Sequence, residues 1–196
     1  MATADASEDP LAERVVDSRD VYRGGYLGLR VDTIERADGS RSTRDVVEHP
    51  GAVTMLALDP DDRVLLVRQW RTPTGGALLE LPAGTLDRGA DGSTEDPDAA
   101  ARRELEEETG YRAGHWEKLG EFWTAPGFAT ELMHLYLVTD LTPADDDGRL
   151  GPDEDEHLEL RAVPWREAVA MAERGEIRDA KSLVALFRLA LLRSSP

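Results

Sequence analysis

Apolar and polar residues alternate along the first part of the chain with the period of two that marks half-buried strands. Val15 to Tyr22, Tyr26 to Glu35 and Thr43 to His49 read as strands, and Ala37-Asp38-Gly39-Ser40 supplies hairpin turn chemistry between the last two. Ala52 to Leu58, Val64 to Trp70 and Ala77 to Leu81 continue the series, with Asp59-Pro60-Asp61-Asp62 as a hairpin turn between the first pair. Further strands are expected at Trp116 to Trp123, Met133 to Thr139 and Leu158 to Val163. The period then changes. Trp165 to about Arg174 and Asp179 to about Arg193 read as helices, and Leu183, Leu186, Phe187, Ala190 and Leu191 recur at helical spacing in the second. Strands and helices mixed in this way predict an α/β or α+β fold, a mixed sheet flanked by helices.

One helix differs from the rest. Asp96 is placed to cap it, Pro97 fits its first position, and Gly110 suits the left-handed residue beyond its end. Its apolar stripe is narrow, Ala101 and Leu105, with Asp98, Arg102, Glu106 and Thr109 expected on the solvent face. At about 100° per residue, Glu104 and Glu108 fall one turn apart on one face with Glu107 beside them. Like charges at that spacing repel by a few tenths of a kcal/mol per pair, roughly, so the arrangement gains nothing without a counter-ion. A hard divalent cation is the counter-ion that converging carboxylate oxygens suit. Read alone, a Glu triplet is a solvated acidic helix face; the surrounding residues change that reading.

Composition narrows the chemistry. The 196 residues and 40% hydrophobic share suffice for one sizeable core. A net charge of -17 without a basic stripe excludes a nucleic-acid partner, although bound metal reverses the local sign for a small phosphorylated substrate. There is no cysteine, hence no disulfide framework or thiolate metal site. Neither a membrane-length apolar run nor a signal-peptide pattern is present, so cytoplasmic residence is the expectation. Residues 1 to 13, small and acidic, are expected to form a disordered tail.

Glu95, then seven residues, then Arg103-Glu104-Leu105-x-Glu107-Glu108-x-Gly110-Tyr111 resembles the signature of the Nudix hydrolases, which cleave nucleoside diphosphates linked to another group. Gly89 stands at the literal five-residue gap before Glu95, while Leu81-Pro82-Ala83-Gly84 resembles the usual entry to the box. The second alignment is preferred, and it puts an insertion of about five residues in the loop from Thr85 to Thr94, as a loop tolerates. Pro126, fifteen residues beyond Tyr111, resembles the mark of the ADP-ribose pyrophosphatases, as do the stretches Arg44 to Val53 and Arg68 to Pro73. The resemblance implies a Nudix α/β/α sandwich (residues 51–196) and an N-terminal antiparallel β subdomain (14–50) that serves dimerisation.

Carried over residue by residue, the resemblance assigns the metal to the Ala83 carbonyl, Glu104 and Glu108, with Glu107 binding directly or through water. The implied ion is Mg²⁺, with Mn²⁺ as the alternative. Arg103 is expected to orient the ligand helix by pairing with Glu95 or Glu107. The general base is expected in the late acidic loop Pro152 to His157, Glu156 first and Glu154 second, while His157 is expected at the surface. For the substrate, the resemblance implies Arg71 at the phosphates or terminal ribose, Arg44 on the adenosine side, Glu80 at a sugar hydroxyl, Tyr26 stacking on adenine, and Gly127 in the turn after Pro126. Trp70 and Trp123 are expected in the core or at a dimer contact. The implied reaction is hydrolysis of ADP-ribose to AMP and ribose 5-phosphate by a homodimer with exchanged N-terminal subdomains. The alternatives are another nucleoside diphosphate sugar such as GDP-mannose, or a nucleotide-binding sensor without turnover.

Overall fold

The structure is a computed structural model that describes residues 9–89, 91–144, 150–151 and 157–194. Glu154 and Glu156 therefore lie outside the described residues. The chain divides into two compact units, the first comprising residues up to Pro50 with Ala125–Glu131, the second Gly51–Thr124 with Leu132 onward.

In the first unit, β1 (Arg14–Arg23), β2 (Gly28–Glu35) and β3 (Arg41–Glu48) form an antiparallel sheet in that order. The β2–β3 turn closes as its residues dictate: Gly39 takes φ 80° and Arg36 and Ser40 bond across it. Residues 1–8 of the expected tail lie outside the described residues; beyond them the Asp9 carboxylate accepts the Leu11 N–H, and Glu13 pairs with Arg44 and Arg36. Ala125–Glu131 joins this unit through a backbone pair between Val47 and both Phe128 and Thr130.

The second unit is built on two sheets. β7 (Ala83–Thr85), β4 (Ala52–Ala57), β9 (Leu132–Pro143) and β8 (Tyr111–Trp123) form a mixed sheet in that spatial order, in which only the β4–β9 pair is parallel. β10 (Glu159–Pro164), β5 (Arg63–Arg71) and β6 (Gly76–Glu80) form an antiparallel one. Helix α1 (Pro97–Thr109) packs on Val53, Met55, Ala57, Tyr136 and Val138. Helices α2 (Trp165–Glu173) and α3 (Ala180–Ser194) pack on Leu56, Leu58, Val64, Leu66 and Leu135. Alternate residues of β4 thus enter different cores, and all six are buried, as a central strand covered on both faces requires. This is an α/β/α sandwich.

Several expectations are corrected. Asp59 to Asp62 does reverse the chain, with Asp62 at φ 58°, but β4 and β5 part after one bridge and enter different sheets. A turn fixes a reversal and leaves pairing to the side chains beyond it. Trp70 and Trp123 are 64% and 55% exposed, so neither is a core residue. In α3 the buried stripe is Ser182, Ala185, Leu186 and Leu189, while Phe187 and Leu191 are exposed. On α1, Asp98 and Arg102 face out as expected, but Glu106 and Thr109 are buried. Arg112 at the start of β8 reaches back to Glu106 in a two-pronged pair of 2.7 Å bonds, which lets that carboxylate leave water.

Candidate active site

The box helix starts and stops where its sequence directs. Pro97 occupies its first turn, and Gly110 adopts φ 71° with its N–H bonded to the Glu106 carbonyl. Asp96 precedes the helix in extended conformation but makes no side-chain cap, and Asp98 in the first turn accepts the Tyr136 hydroxyl at 2.6 Å. Burial together with that carboxylate raises the Tyr136 pKa, keeping the phenol protonated.

The ligand face of α1 meets the chain leaving β6. Glu104 and Glu108 are only 8% and 7% exposed. The Glu108 carboxylate accepts the Ala83 N–H at 2.9 Å. Glu104 lies over Gly84 so closely that a Cβ built there would sit 1.8 Å from its carboxyl carbon. Only a residue without a side chain leaves the Glu104 carboxylate in this position. Leu81-Pro82-Ala83-Gly84 is held from below as well, because the Pro82 carbonyl accepts the Met55 N–H at 2.9 Å and the Thr54 hydroxyl at 3.1 Å.

Arg103 is the cation of the cluster. Its Nη1 donates to Glu104 and to Glu107, both at 2.8 Å, while Nη2 and Nε donate to Glu95 at 2.9 and 3.3 Å. These bonds raise the Arg103 pKa, and the guanidinium holds the Glu95 carboxyl below the usual range. The loop insertion is tied to the same point: Glu95 bonds the Asp87 backbone, and Asp87 stands 3.8 Å from Arg103. Between these ends the loop closes on itself through Gly89 and Ser93.

Beside the box lies a second charged group. Arg71 donates from Nε and Nη2 to the two oxygens of Glu80, each at 2.9 Å, and feels the charge of Glu108. Among the described residues its Nη1 makes no hydrogen bond, and 40% of the side chain is exposed. Glu80 is 1% exposed and accepts a further bond from Lys181. Burial alone would raise its pKa, but Arg71 and Lys181 together outweigh burial and hold Glu80 ionised, below the usual range. A direct bond from Glu80 to a sugar hydroxyl is therefore not what this geometry offers: both oxygens are engaged, and solvent does not reach them.

Metal fit follows from the donor set. Among the described residues, no three His, Asp or Glu side chains stand grouped in ligating geometry. The physical reason is visible, since Arg103 draws in Glu104 and Glu107, and Glu108 bonds the Ala83 N–H. All the available donors are nevertheless hard oxygens, carboxylates on adjacent turns facing a backbone strand, and they lie in a cradle cleared by a glycine. That set suits a hard divalent cation and no soft one.

The structure brings together Ala83, Glu104, Glu107, Glu108, Arg103, Arg71 and Glu80, all in the second unit. Arg44, Tyr26 and Gly127 belong to the first. There Arg44 bonds Glu13 and Ser42, Tyr26 is 56% exposed and meets His49 edge-on at 5.9 Å between ring centroids, and Gly127 lies in the Ala125–Phe128 turn with open space where a side chain would stand. His157 is exposed. Sequence reading missed Lys181, Asp179 and Ser182. One signal was available: Ser182 is in helical register with Ala185, Leu186 and Leu189, a polar residue on a buried face that must have a partner.

Comparison with known proteins shows the family of the chain. Residues 48–186 match the NUDIX domain model, and residues 13–47 match the nucleoside diphosphate sugar hydrolase N-terminal domain. The chain is 37% identical over 181 residues to an ADP-ribose pyrophosphatase of Bacillus subtilis, covering 92% of this chain and 94% of that protein. It is 35% identical to a GDP-mannose pyrophosphatase of Cronobacter sakazakii, covering 85% of this chain and 89% of that one. In fold it is similar to a crystal structure described as an ADP compounds hydrolase, at TM-score 0.78 and 24% identity, over 95% of this chain and 96% of the other.

Proposed function

The chain belongs to the NUDIX family of hydrolases, which generally depend on a divalent metal, and from that premise we propose that it hydrolyses ADP-ribose to AMP and ribose 5-phosphate with Mg²⁺. The observation that carries this reading is the pairing of a carboxylate cradle over Gly84 with a guanidinium, Arg71, that is held at the end of the adjoining strand β6 by the two oxygens of Glu80. A pyrophosphate repels nucleophiles with its own oxygens, so its hydrolysis needs charge neutralisation and an activated water. Bound metal supplies both. Glu104 and Glu108 are the residues to hold it, with the Ala83 carbonyl, and Glu107 completes the set directly or through water. Arg103 fixes the angle of the carboxylates by bonding two of them and Glu95 at once. Arg71 offers its open Nη1 edge to phosphate oxygens, a match for a planar guanidinium. Arg44 and Tyr26 are assigned to the adenosine side through a homodimer with exchanged N-terminal subdomains. Cytoplasmic residence is part of the proposal; among the described residues no helix is long and apolar enough to cross a membrane.

GDP-mannose is the second reading, favoured by the similarity to the Cronobacter sakazakii protein. A substrate panel with Mg²⁺ and product analysis decides. AMP from ADP-ribose with the higher kcat/KM supports the proposal; preferential GMP release from GDP-mannose replaces it; binding without products makes the protein a sensor.

The base is assigned to Glu156. Glu156→Gln is expected to lower kcat by about 100-fold or more while leaving metal affinity unchanged, as loss of proton transfer alone requires. A larger loss in Glu154→Gln, measured in the same assay, would move the assignment to that residue.

A further inference from the structure

The first turn of α3 is joined to the strand end that leads into the box. Leu81, which follows Glu80, donates its N–H to the fully buried Ser182 hydroxyl at 2.7 Å. Lys181, one residue earlier, donates to Glu80 and, at 3.0 Å, to Asp179. The Asp179 oxygen that holds Lys181 also accepts the Ser182 N–H at 3.1 Å, which fixes the start of the helix, and its other oxygen is buried with no hydrogen-bond partner among the described residues. Lys181 is only 11% exposed in its side chain, so its charge is spent inside the protein. The result is a chain of alternating charge, Asp179, Lys181, Glu80, Arg71, with the charge of Glu108 felt at its Arg71 end.

We propose that Lys181 is a positioning residue: through buried Glu80 it fixes the guanidinium of Arg71 in the orientation that meets the substrate phosphates. The inference rests on the functional reading above. Arg71 has a long, flexible stem, and a single carboxylate would leave Glu80 free to rotate with it. Lys181, clamped by Asp179 on a helix terminus, removes that freedom. A guanidinium held before the substrate arrives loses less entropy on binding.

Kinetics of single and double variants, with ¹⁵N spectra, test this. Lys181→Met is expected to raise KM for ADP-ribose about 10-fold with kcat within threefold and Mg²⁺ affinity unchanged, and Lys181→Arg to restore most of the loss. Combined with Arg71→Ala, Lys181→Met is expected to add nothing, because Lys181 acts only through Arg71. In ¹⁵N spectra the Arg71 Nε–H signal, assigned by its loss in Arg71→Lys, is expected to be sharp in the parent and in Lys181→Arg and broadened by exchange in Lys181→Met. An unchanged Arg71 signal in Lys181→Met overturns the proposal, as do losses that multiply in the double variant, which would mean that Lys181 meets the substrate itself. Should the parent fail to turn over ADP-ribose, the functional reading falls, and the Arg71 signal alone decides the positioning role.

Discussion

Glu108→Gln is expected to lower turnover of ADP-ribose by at least about 100-fold, since even the outer partners of metal ligands cost 10- to 100-fold when removed. The substitution is chosen to separate chemistry from folding. Glutamine has the same shape and keeps one carbonyl oxygen, so the bond from the Ala83 N–H at 2.9 Å has an acceptor in the variant. What disappears is the negative charge, and with it the affinity for a hard cation. Thermal unfolding should therefore place the variant within about 1 kcal/mol of the parent, the size of one ordinary hydrogen bond. Steady-state kinetics across a Mg²⁺ series, with the melting curve as control, checks both halves. A rate within a few fold of the parent would make Glu108 a merely structural acid.

Gly84→Ala is expected to be nearly as damaging, although it removes no functional group. The added methyl would stand 1.9 and 2.3 Å from the two carboxylate oxygens of Glu104 and 1.8 Å from the carbon between them. Backbone strain is not the reason, because Gly84 is an ordinary strand residue paired with Val53. The methyl and the carboxylate simply claim one space. Glu104 is the end of a flexible side chain, so the methyl displaces it and the fold survives, at an overpacking cost of about 1–3 kcal/mol or less. The displaced carboxylate leaves both the ligand set and Arg103. Activity is expected to fall about 100-fold, with weaker metal binding by calorimetry and a cooperative melt retained. A variant that unfolds would show Gly84 to be a packing residue, and one with parental activity would show that Glu104 works from another position.

The helix that carries the box was legible because its boundaries are local chemistry: Pro97 and Gly110 act within their own turns, and the spacing of Glu104, Glu107 and Glu108 is fixed by helical geometry. The strands were legible for the same reason. Tertiary choices were not. Nothing near Asp59 to Asp62 says that β4 and β5 enter different sheets, and the burial of Glu106 depends on Arg112 beyond the helix end. β7, three residues long, is too short to show a period. The polar residues flagged in the sequence belong to the box, to the late acidic loop and to stretches that resemble the family, such as Arg44, Arg71 and Glu80, whereas Lys181 and Ser182 find their partners, Glu80 and Leu81, 101 residues away. Such pairings follow from the fold alone. Arg71 was legible as a charge near the site, and its orientation was not, because that depends on Glu80 being buried between two cations.

The central claim is that the acids of α1 hold a divalent ion against the diphosphate of a nucleotide sugar, and anomalous diffraction from a crystal grown with Mn²⁺ and a non-hydrolysable ADP-ribose analogue tests it most directly. The account predicts anomalous peaks between Glu104, Glu108 and the analogue's phosphates, with the Arg71 guanidinium on the same phosphates. Peaks only at remote surface acids, with the analogue bound away from α1, would contradict it.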